Sequence, residues 1–477
     1  MMRQKIVPKN ALWPFILLTT LFFAWAVPNN LTDTMLAAFK RIMSLSDSKT
    51  AWIQVVCYLL GYGFCAIPGA LFIKKYTYKS GVLLGLAFYA GGCFLFYPAM
   101  LCLQINADIS FAMYLFAIFI LFAGLSVLET SSNSYICAIG SEETATRRLN
   151  LAQSFNPFGA IGGVVISQVF ILSQLNLLTA SERTAMPADE LTKIQGFELN
   201  AVTMTYVILG VVMAVLLLAI LLTQMPKLKE GDRKPELVAT FKRLFKNRNY
   251  VWGVVAQFFY VGAQIAVWSF VIRYAMQQLD LDGIVASLGA NVPSIEVVDA
   301  LRNVEPIASG FYRLCEVAGL NDLLPRTAEQ AGATYYIISL ILFVLMRFAC
   351  TGLMKYIKPY KILTILALAA VACCLVTIYG KGAVGVYSLM FISGCMSLMF
   401  PTIYGIGVRG LGEDTKIGGA GMVMAIAGAA VLTQIQGIVS DSSSIGLAYW
   451  VPAVAFGIIA YYSIVICGKA ERKENIR

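Results

Sequence analysis

Polar residues inside apolar segments are the part of this sequence that could do chemistry. The apolar run "FFAWAVPNNLTDTMLAAF", residues 22 to 39, contains Asn30 and Asp33 near its middle. A charge at the centre of a membrane helix costs roughly 2.5 to 3.5 kcal/mol on insertion scales, so it is retained where it faces protein or water and usually where it works. A second carboxylate, Glu129, lies in "GLSVLETSSNSY", with Asn133 one helical turn later. Two carboxylates without basic neighbours in sequence cannot both stay ionised away from water, so we predict that both exchange protons.

Side-chain amides form a second set of candidate residues. Gln153 and Asn156 lie three residues apart in "NLAQSFNPFGAIGG", and "AQFFYVGAQIAVWSF" places Gln257, Gln264 and Trp268 along one helical stripe. Amides donate and accept hydrogen bonds as sugar hydroxyls do, and an indole ring can stack on the apolar face of a pyranose. Together with Asn30 and Asn133, these stripes predict one watery cavity that binds a monosaccharide.

Two structural alternatives remain open for these polar residues. Amides can simply join helix to helix, which is worth about 0.6 kcal/mol each in membranes. A carboxylate could also be paired permanently with Arg273 or Arg347, the remaining charged residues of the apolar segments. Both arginines lie near segment ends, so we expect them to reach toward the membrane surface or to pack against neighbouring helices.

Composition places the chain in the membrane. Its 477 residues are 59% hydrophobic and 13% charged, with a mean hydropathy of +0.75, which excludes an ordinary soluble domain. Reading for apolar runs of about 20 residues predicts twelve membrane spans. They lie near residues 12–38, 50–73, 79–103, 110–139, 148–174, 200–224, 250–277, 333–356, 361–380, 384–407, 417–440 and 446–467.

The distribution of basic residues predicts the topology. With the amino terminus inside, inner segments hold 25 lysines and arginines, including Arg147 and Arg148, and outer segments hold nine. Both termini are therefore expected in the cytoplasm. The net charge of +10 reflects this asymmetry and contact with anionic membrane lipid rather than nucleic-acid binding.

The chain divides into two similar halves. We predict an amino-terminal six-helix bundle at 1–225, a cytoplasmic linker with a short amphipathic helix at 226–249, and a carboxy-terminal six-helix bundle at 250–477. "GSEET" before the fifth span and "GEDT" before the eleventh occupy corresponding places, which favours parallel repeats. A polar segment at about 278–332 interrupts the second half, and we interpret it as an outer insertion of one or two helices without a direct role in transport.

Several motifs resemble one family in order and over nearly all twelve spans. "WAVPNNLTD", "LETSSN", "RRLNLAQSFNPFGA", "QFFYVGAQIAVWSFVIRYA" and "PTIYGIGVRGLGEDTK" are similar to stretches of the L-fucose–proton symporters of the major facilitator superfamily. The resemblance implies that Asp33 and Glu129 are the proton-coupling carboxylates. It also implies that Asn30, Gln153 and Asn156 contribute to the sugar site.

One residue departs from this family's pattern. The L-fucose symporters have a tyrosine before the Pro-Thr-Ile of the tenth span, where this chain has Phe400, so the expected site lacks one hydroxyl. The wider family also moves hexoses and amino sugars. The resemblance therefore implies proton coupling more firmly than it implies a particular sugar.

We thus predict an all-α membrane protein with the major facilitator fold that imports a monosaccharide with protons by alternating access. L-Fucose is the first candidate, a hexose or N-acetylhexosamine the second, and a membrane sugar receptor that does not transport is the candidate from another class. The absence of histidine, of a metal-ligand cluster and of a nucleotide-binding loop disfavours an enzyme, a metal site or a cofactor. We expect a monomer in a bacterial inner membrane.

Overall fold

The structure is a computed structural model that describes residues 6–43, 45, 47–171, 174, 183, 186–226, 237–288, 293–302 and 306–469. Within these ranges the side chains of residues 29, 32–38, 40–41, 47–48, 50–51, 168–169, 188, 237 and 322 are not described. The residues that are described form helices and turns, with no β-strand. The all-α prediction is confirmed.

Contacts divide the chain into two compact units, and these units do not coincide with the two halves of the sequence. Unit 1 comprises Met1–Val254 and Tyr404–Ala430, and unit 2 comprises Val255–Ile403 and Val431–Arg477. The segment Tyr404–Ala430 is therefore joined to unit 2 at both of its ends but packs within unit 1. The division of the sequence at 226–249 stays a prediction.

Unit 1 contains the helices of the first half together with one helix from the second. In chain order, its first ten helices are α1 (Leu12–Ile42), α2 (Asp47–Gln54), α3 (Cys65–Lys75), α4 (Tyr78–Phe94), α5 (Phe96–Leu101), α6 (Ala107–Ala138), α7 (Glu142–Gln153), α8 (Asn156–Ile166), α9 (Ala188–Leu222) and α10 (Leu237–Lys246). A π-helical segment, Val55–Phe64, joins α2 to α3, and a second, Ser167–Ile171, follows α8.

The remaining helices follow in the second half. They are α11 (Arg248–Leu279), α12 (Leu281–Leu288), α13 (Ser294–Arg302), α14 (Pro306–Val317), α15 (Ala328–Leu353), α16 (Pro359–Tyr379), α17 (Ala383–Met396), α18 (Met399–Gly407), α19 (Thr415–Met424), α20 (Gly428–Ser442), α21 (Ile445–Ala448) and α22 (Trp450–Tyr461). A π-helical turn, Tyr462–Cys467, ends the last span. Helix α19 belongs to unit 1, whereas α11, α18 and α20 each begin in one unit and continue in the other.

Eleven stretches of the described residues are long and apolar enough to cross a membrane. They correspond to eleven of the twelve predicted spans. The remaining predicted span, 148–174, is broken into α7 and α8 at Ser154 and Phe155. Proline lacks an N–H, so Pro157 cannot bond the carbonyl of Gln153, the residue at which α7 ends.

The predicted outer insertion forms three short helices, whereas one or two were expected. Helices α12, α13 and α14 lie in unit 2. Helix α13 packs on α14, and Val297, Leu301 and Tyr312 of these two helices are buried. The Arg302 guanidinium donates to both oxygens of Glu316, at 2.6 and 2.7 Å, and so joins the two helices. The insertion thus contains packing interactions of its own.

Candidate functional site

Close packing of α4 on α6 fixes the position of the helix segment that contains Glu129. Every side chain from Ser126 to Tyr135 is buried, so this part of α6 contacts protein on all faces. The Cα of Gly85 on α4 approaches the backbone so closely that a Cβ there would lie 2.7 Å from the nitrogen of Leu128. Only glycine allows the two helices this approach. This close contact holds the segment around Glu129 at a fixed position inside unit 1.

Glu129 is a buried carboxylate without a cationic partner among the described residues. Its side chain is 7% exposed. The polar side chains that interact with it are Asn133, one turn later on α6, and Tyr62 from the π-helical segment Val55–Phe64. No ion pair in the described part of the chain includes Glu129. The alternative of a permanent pair with Arg273 or Arg347 is therefore not observed for this carboxylate.

Two of the predicted sugar-binding amides lie beside Glu129. The side-chain nitrogen of Gln153, at the end of α7, donates to Oδ1 of Asn133 at 2.9 Å. Both amides are buried. Glu129, Asn133 and Gln153 thus form one connected polar group on α6 and α7.

The other two amides of the first half contact the backbone of α1. Nδ2 of Asn156 donates to the carbonyl of Phe22 at 3.1 Å, and Nδ2 of Asn30 donates to the carbonyl of Ala26 at 3.0 Å. A Cβ at Gly163 of α8 would lie 3.2 Å from the Cβ of Asn30, which shows how closely α8 lies on α1. Both side chains are half-buried.

For Asp33, the other candidate carboxylate, the structure describes the backbone alone. Asp33 lies within α1, five residues after Pro28. Its side chain lies outside the described residues, so its role stays a prediction.

In unit 2 the predicted stripe of α11 packs against α17. Tyr260 donates to the carbonyl of Met396 at 3.0 Å, and the indole of Trp268 donates to Oγ of Ser393 at 3.1 Å. Gln257 is fully buried, and neither its amide nitrogen nor its amide oxygen has a hydrogen-bond partner among the described residues. A buried amide is usually hydrogen-bonded, so Gln257 is the member of this stripe most in need of a ligand.

The last two predicted site residues are both half-buried. Gln264 lies two turns after Gln257 on α11. The ring of Phe400 on α18 lies 6.3 Å from the ring of Tyr260. Apolar contact with the stripe of α11 therefore replaces the hydrogen bond that a tyrosine at position 400 could make.

Arg347 packs against neighbouring helices, one of the two roles expected for it, and is 3% exposed. Its Nε donates to the carbonyl of Ser397. That carbonyl lies four residues before Pro401, whose missing N–H leaves it without an intrahelical partner. The guanidinium also lies 4.6 Å above the ring of Phe343. Arg347 thus packs against the tenth span at its proline break.

Further buried charges were missed from the sequence, among them Arg148, Arg183 and Glu198. Arg148, predicted to be one of the cytoplasmic bases, is fully buried and donates to the carbonyls of Ile136 and Cys137 at the end of α6. Arg183 and Glu198 form a bidentate ion pair at 2.9 and 2.5 Å, and both side chains are 1% exposed. The position of Arg148 directly before an apolar span could have indicated that it is buried. No local signal distinguishes the ion pair from ordinary loop charges.

The family of the chain is decided by comparison with known proteins. The family model described as Major Facilitator Superfamily matches residues 12–295. This chain belongs to the Major Facilitator Superfamily. An L-fucose-proton symporter from Haemophilus influenzae is 35% identical over 479 residues, which cover 97% of this chain and 98% of that protein.

A solved structure and a more distant relative extend the comparison within the superfamily. The crystal structure of the Escherichia coli fucose:proton symporter matches with a TM-score of 0.77 and 33% identity, covering 95% of this chain and 98% of that one. A glucose/galactose transporter from Brucella abortus is 27% identical over 458 residues, covering 96% of this chain and 95% of that protein. The predicted major facilitator fold is confirmed, and so is the prediction of a multi-pass membrane transporter rather than an enzyme.

Proposed function

We propose that the chain is a proton-coupled symporter that imports a monosaccharide, with L-fucose or a closely related sugar as substrate. The observation that supports this most directly is that Glu129 is buried beside the amide pair of Asn133 and Gln153 and forms no ion pair with any described residue. A carboxylate in such a place can bind a proton on one side of the membrane and release it on the other. The neighbouring amides suit sugar hydroxyls.

The choice of L-fucose rests on degree of similarity. The relative named an L-fucose-proton symporter is 35% identical, whereas the one named a glucose/galactose transporter is 27% identical. Phe400 removes a hydroxyl from the site expected by resemblance, so a sugar with one fewer polar contact at that point fits the chain. A hexose or N-acetylhexosamine is the second candidate substrate class, and a non-transporting sugar receptor is the candidate from another class.

The two carboxylates have separate roles in this proposal. Asp33 on α1 takes up the external proton, and Glu129 on α6 holds it beside the sugar-binding amides. Asn30, Asn156, Gln257, Gln264, Trp268 and Phe400 complete the sugar site. Gln257 supports this assignment because its amide has no hydrogen-bond partner in the described part of the chain.

Alternating access follows from the predicted halves. The bundles at 1–225 and 250–477 rock about a central site, while the linker at 226–249 stays at the cytoplasmic surface. The protein acts as a monomer in contact with membrane lipid in a bacterial inner membrane, with both termini in the cytoplasm. The proton is the coupling ion, and transport needs no other cofactor.

Uptake of labelled sugar into proteoliposomes under an imposed pH gradient tests the proposal. We expect accumulation when the outside is acidic and loss of accumulation when a protonophore collapses the gradient. A panel of competing sugars in the same assay ranks L-fucose against hexoses and N-acetylhexosamines. Saturable sugar binding without uptake would identify a receptor, and uptake indifferent to the pH gradient would exclude proton coupling.

A further inference from the structure

A groove with a volume of about 440 Å³ lies between α1 and α9 on the side of unit 1. Its lining is mostly apolar and includes Phe197, Ile208 and Val212 of α9 together with Val27 and Leu31 of α1. The three α9 side chains are exposed, whereas the two α1 side chains are buried. Helix α1 therefore forms the floor of the groove, and α9 forms a wall that opens outward.

The groove opens to the lipid bilayer. Helix α9 is one of the apolar spans, and 28% of its most apolar stretch is buried in the protein, against 67% for α6. In a multi-pass membrane protein, the exposed apolar face of such a span is surrounded by lipid hydrocarbon. Acyl chains are therefore the molecules that the open side of this groove meets.

The length of the groove matches one leaflet of the bilayer. Its lining on α9 runs from Phe197 to Val212, which is about 22 Å of helix. The predicted span begins near residue 200, so Phe197 lies at the boundary of the hydrocarbon. Val212 lies about 18 Å deeper than Asn200, and half of a typical hydrocarbon core is about 15 Å. The groove thus extends from the headgroup boundary to the middle of the bilayer.

Charged and polar side chains continue the groove beyond this boundary. Asn200 lines the groove and is exposed. Lys193 is exposed and lies four residues before Phe197, hence on the same face of α9. Asp189 lies one further turn out on that face, beside Glu190, and both carboxylates are exposed. From the groove outward, α9 therefore presents an amide, a cation and then carboxylates.

We propose that the groove binds one phospholipid whose headgroup has a phosphate followed by a primary ammonium, as in phosphatidylethanolamine. One acyl chain lies in the groove, the phosphate accepts from Lys193 and Asn200, and the ammonium donates to Asp189. The order of charges on α9 is complementary to the order of charges in this headgroup. The chain contacts α1 at Val27 and Leu31, on either side of Pro28. This inference does not depend on which sugar is transported.

Photo-crosslinking locates the acyl chain. Phosphatidylethanolamine with a diazirine in one chain is titrated into the full protein in maltoside micelles, and the labelled residues are mapped by mass spectrometry after irradiation. We expect labels on Ile208 and Val212, which line the groove, in preference to Val211 and Val215, which are exposed at nearly the same depth of α9 outside it. Equal labelling of both pairs would mean non-specific surface lipid only and would overturn the proposal.

Two pairs of matched variants test the groove and the cation. Ala201→Phe fills the groove, whereas Ala214→Phe adds the same ring to a half-buried alanine of α9 outside its lining. We expect Ala201→Phe to weaken lipid binding at least tenfold, the equivalent of two methylenes left unburied, and Ala214→Phe to leave it unchanged. Lys193→Gln should weaken binding about fivefold. Lys381→Gln, at an exposed lysine between α16 and α17, should not.

Competition by unlabelled lipids tests the headgroup. Phosphatidylethanolamine should displace the labelled lipid at a lower mole fraction than phosphatidylcholine, whose ammonium has no proton to donate, or phosphatidylglycerol, which has no ammonium. Asp189→Asn should reduce this preference. Lys193→Gln changes a surface residue, so it keeps the test decisive if Ala201→Phe fails to insert. Equal displacement by all three lipids, or wild-type binding in Lys193→Gln, would overturn the proposal.

Discussion

At the scale of single residues, the candidate site residues of the first half are one buried acid and amides with two kinds of partner. Gln153 and Asn133 bond each other beside Glu129, whereas Asn30 and Asn156 each use one amide proton on the backbone of α1. An amide that is already bonded to protein can still accept from a sugar hydroxyl through its oxygen. A role in joining helices therefore does not by itself exclude the proposed role in binding sugar.

Asn30 and Asp33 should fail in different ways when replaced. Asn30→Ala leaves a sugar hydroxyl unpaired, so we expect weaker sugar binding by about 1 to 3 kcal/mol with its pH dependence unchanged. Asp33→Asn should remove the pH dependence of binding with little loss of affinity at low pH. Titrations of sugar binding at several pH values compare the two variants, and an unchanged pH profile in Asp33→Asn would show that Asp33 is a packing residue.

Arg347 and Pro401 should be energetically coupled. Arg347→Ala leaves the buried carbonyl of Ser397 without a donor, which we expect to destabilise the protein by about 1 to 3 kcal/mol. Pro401→Ala restores an N–H four residues after that carbonyl. The double variant should therefore lose less stability than the sum of the two single variants, by about 0.5 kcal/mol or more in thermal unfolding. Additive losses would mean that the arginine does not act through the proline break.

At the scale of elements, several polar contacts hold the segment Tyr404–Ala430 within unit 1. The carboxylate of Asp414 accepts from Nε of Arg243 on α10 at 2.7 Å, and the backbone N–H of Gly410 donates to Glu142 at the start of α7 at 2.5 Å. Tyr250 donates to the carbonyl of Gly418 at 3.0 Å. The predicted amphipathic helix of the linker is confirmed as α10, and its basic face takes part in this contact.

The ion pair between Asp414 and Arg243 should stabilise the protein slightly at neutral pH. This stabilisation should be lost at strongly acidic pH. Hydrogen bonding from Arg243 lowers the pKa of Asp414 below its ordinary value, so the contribution is complete above the ordinary aspartate range and lost as pH falls through the lowered pKa. The Arg243 side chain is 56% exposed. We expect Asp414→Asn to cost about 0.2 to 1 kcal/mol near pH 7. Thermal unfolding across pH checks this, and a loss that persists at strongly acidic pH would contradict it.

The outer insertion should be removable. Replacing Val285 to Leu324 with a flexible linker deletes α13 and α14 but keeps Thr327, whose hydroxyl accepts from the N–H of Gln330 and caps α15. We expect transport to persist, because the predicted site residues lie on other helices. A variant that inserts correctly but no longer binds sugar would make the insertion part of the site.

At the scale of the whole molecule, hydropathy and charge were enough to predict the spans and the candidate acids. Apolar length and charge content are local properties of the chain, so eleven spans and the buried Glu129 could be read from the sequence. Contacts between distant segments could not. The approach of Tyr404 to Ser134 and the bond from Arg347 to the carbonyl of Ser397 depend on how helices pack. Glycine spacing permits such packing but does not specify the partner.

The central claim is that Glu129 couples a proton to the movement of a sugar. Its most direct test is simultaneous measurement of sugar uptake and proton uptake in proteoliposomes, for the wild type and for Glu129→Gln, with a sugar gradient and no imposed pH gradient. The account predicts that protons enter with the sugar in the wild type, whereas Glu129→Gln moves sugar down its gradient without proton movement. Proton uptake at the wild-type ratio in Glu129→Gln would contradict it.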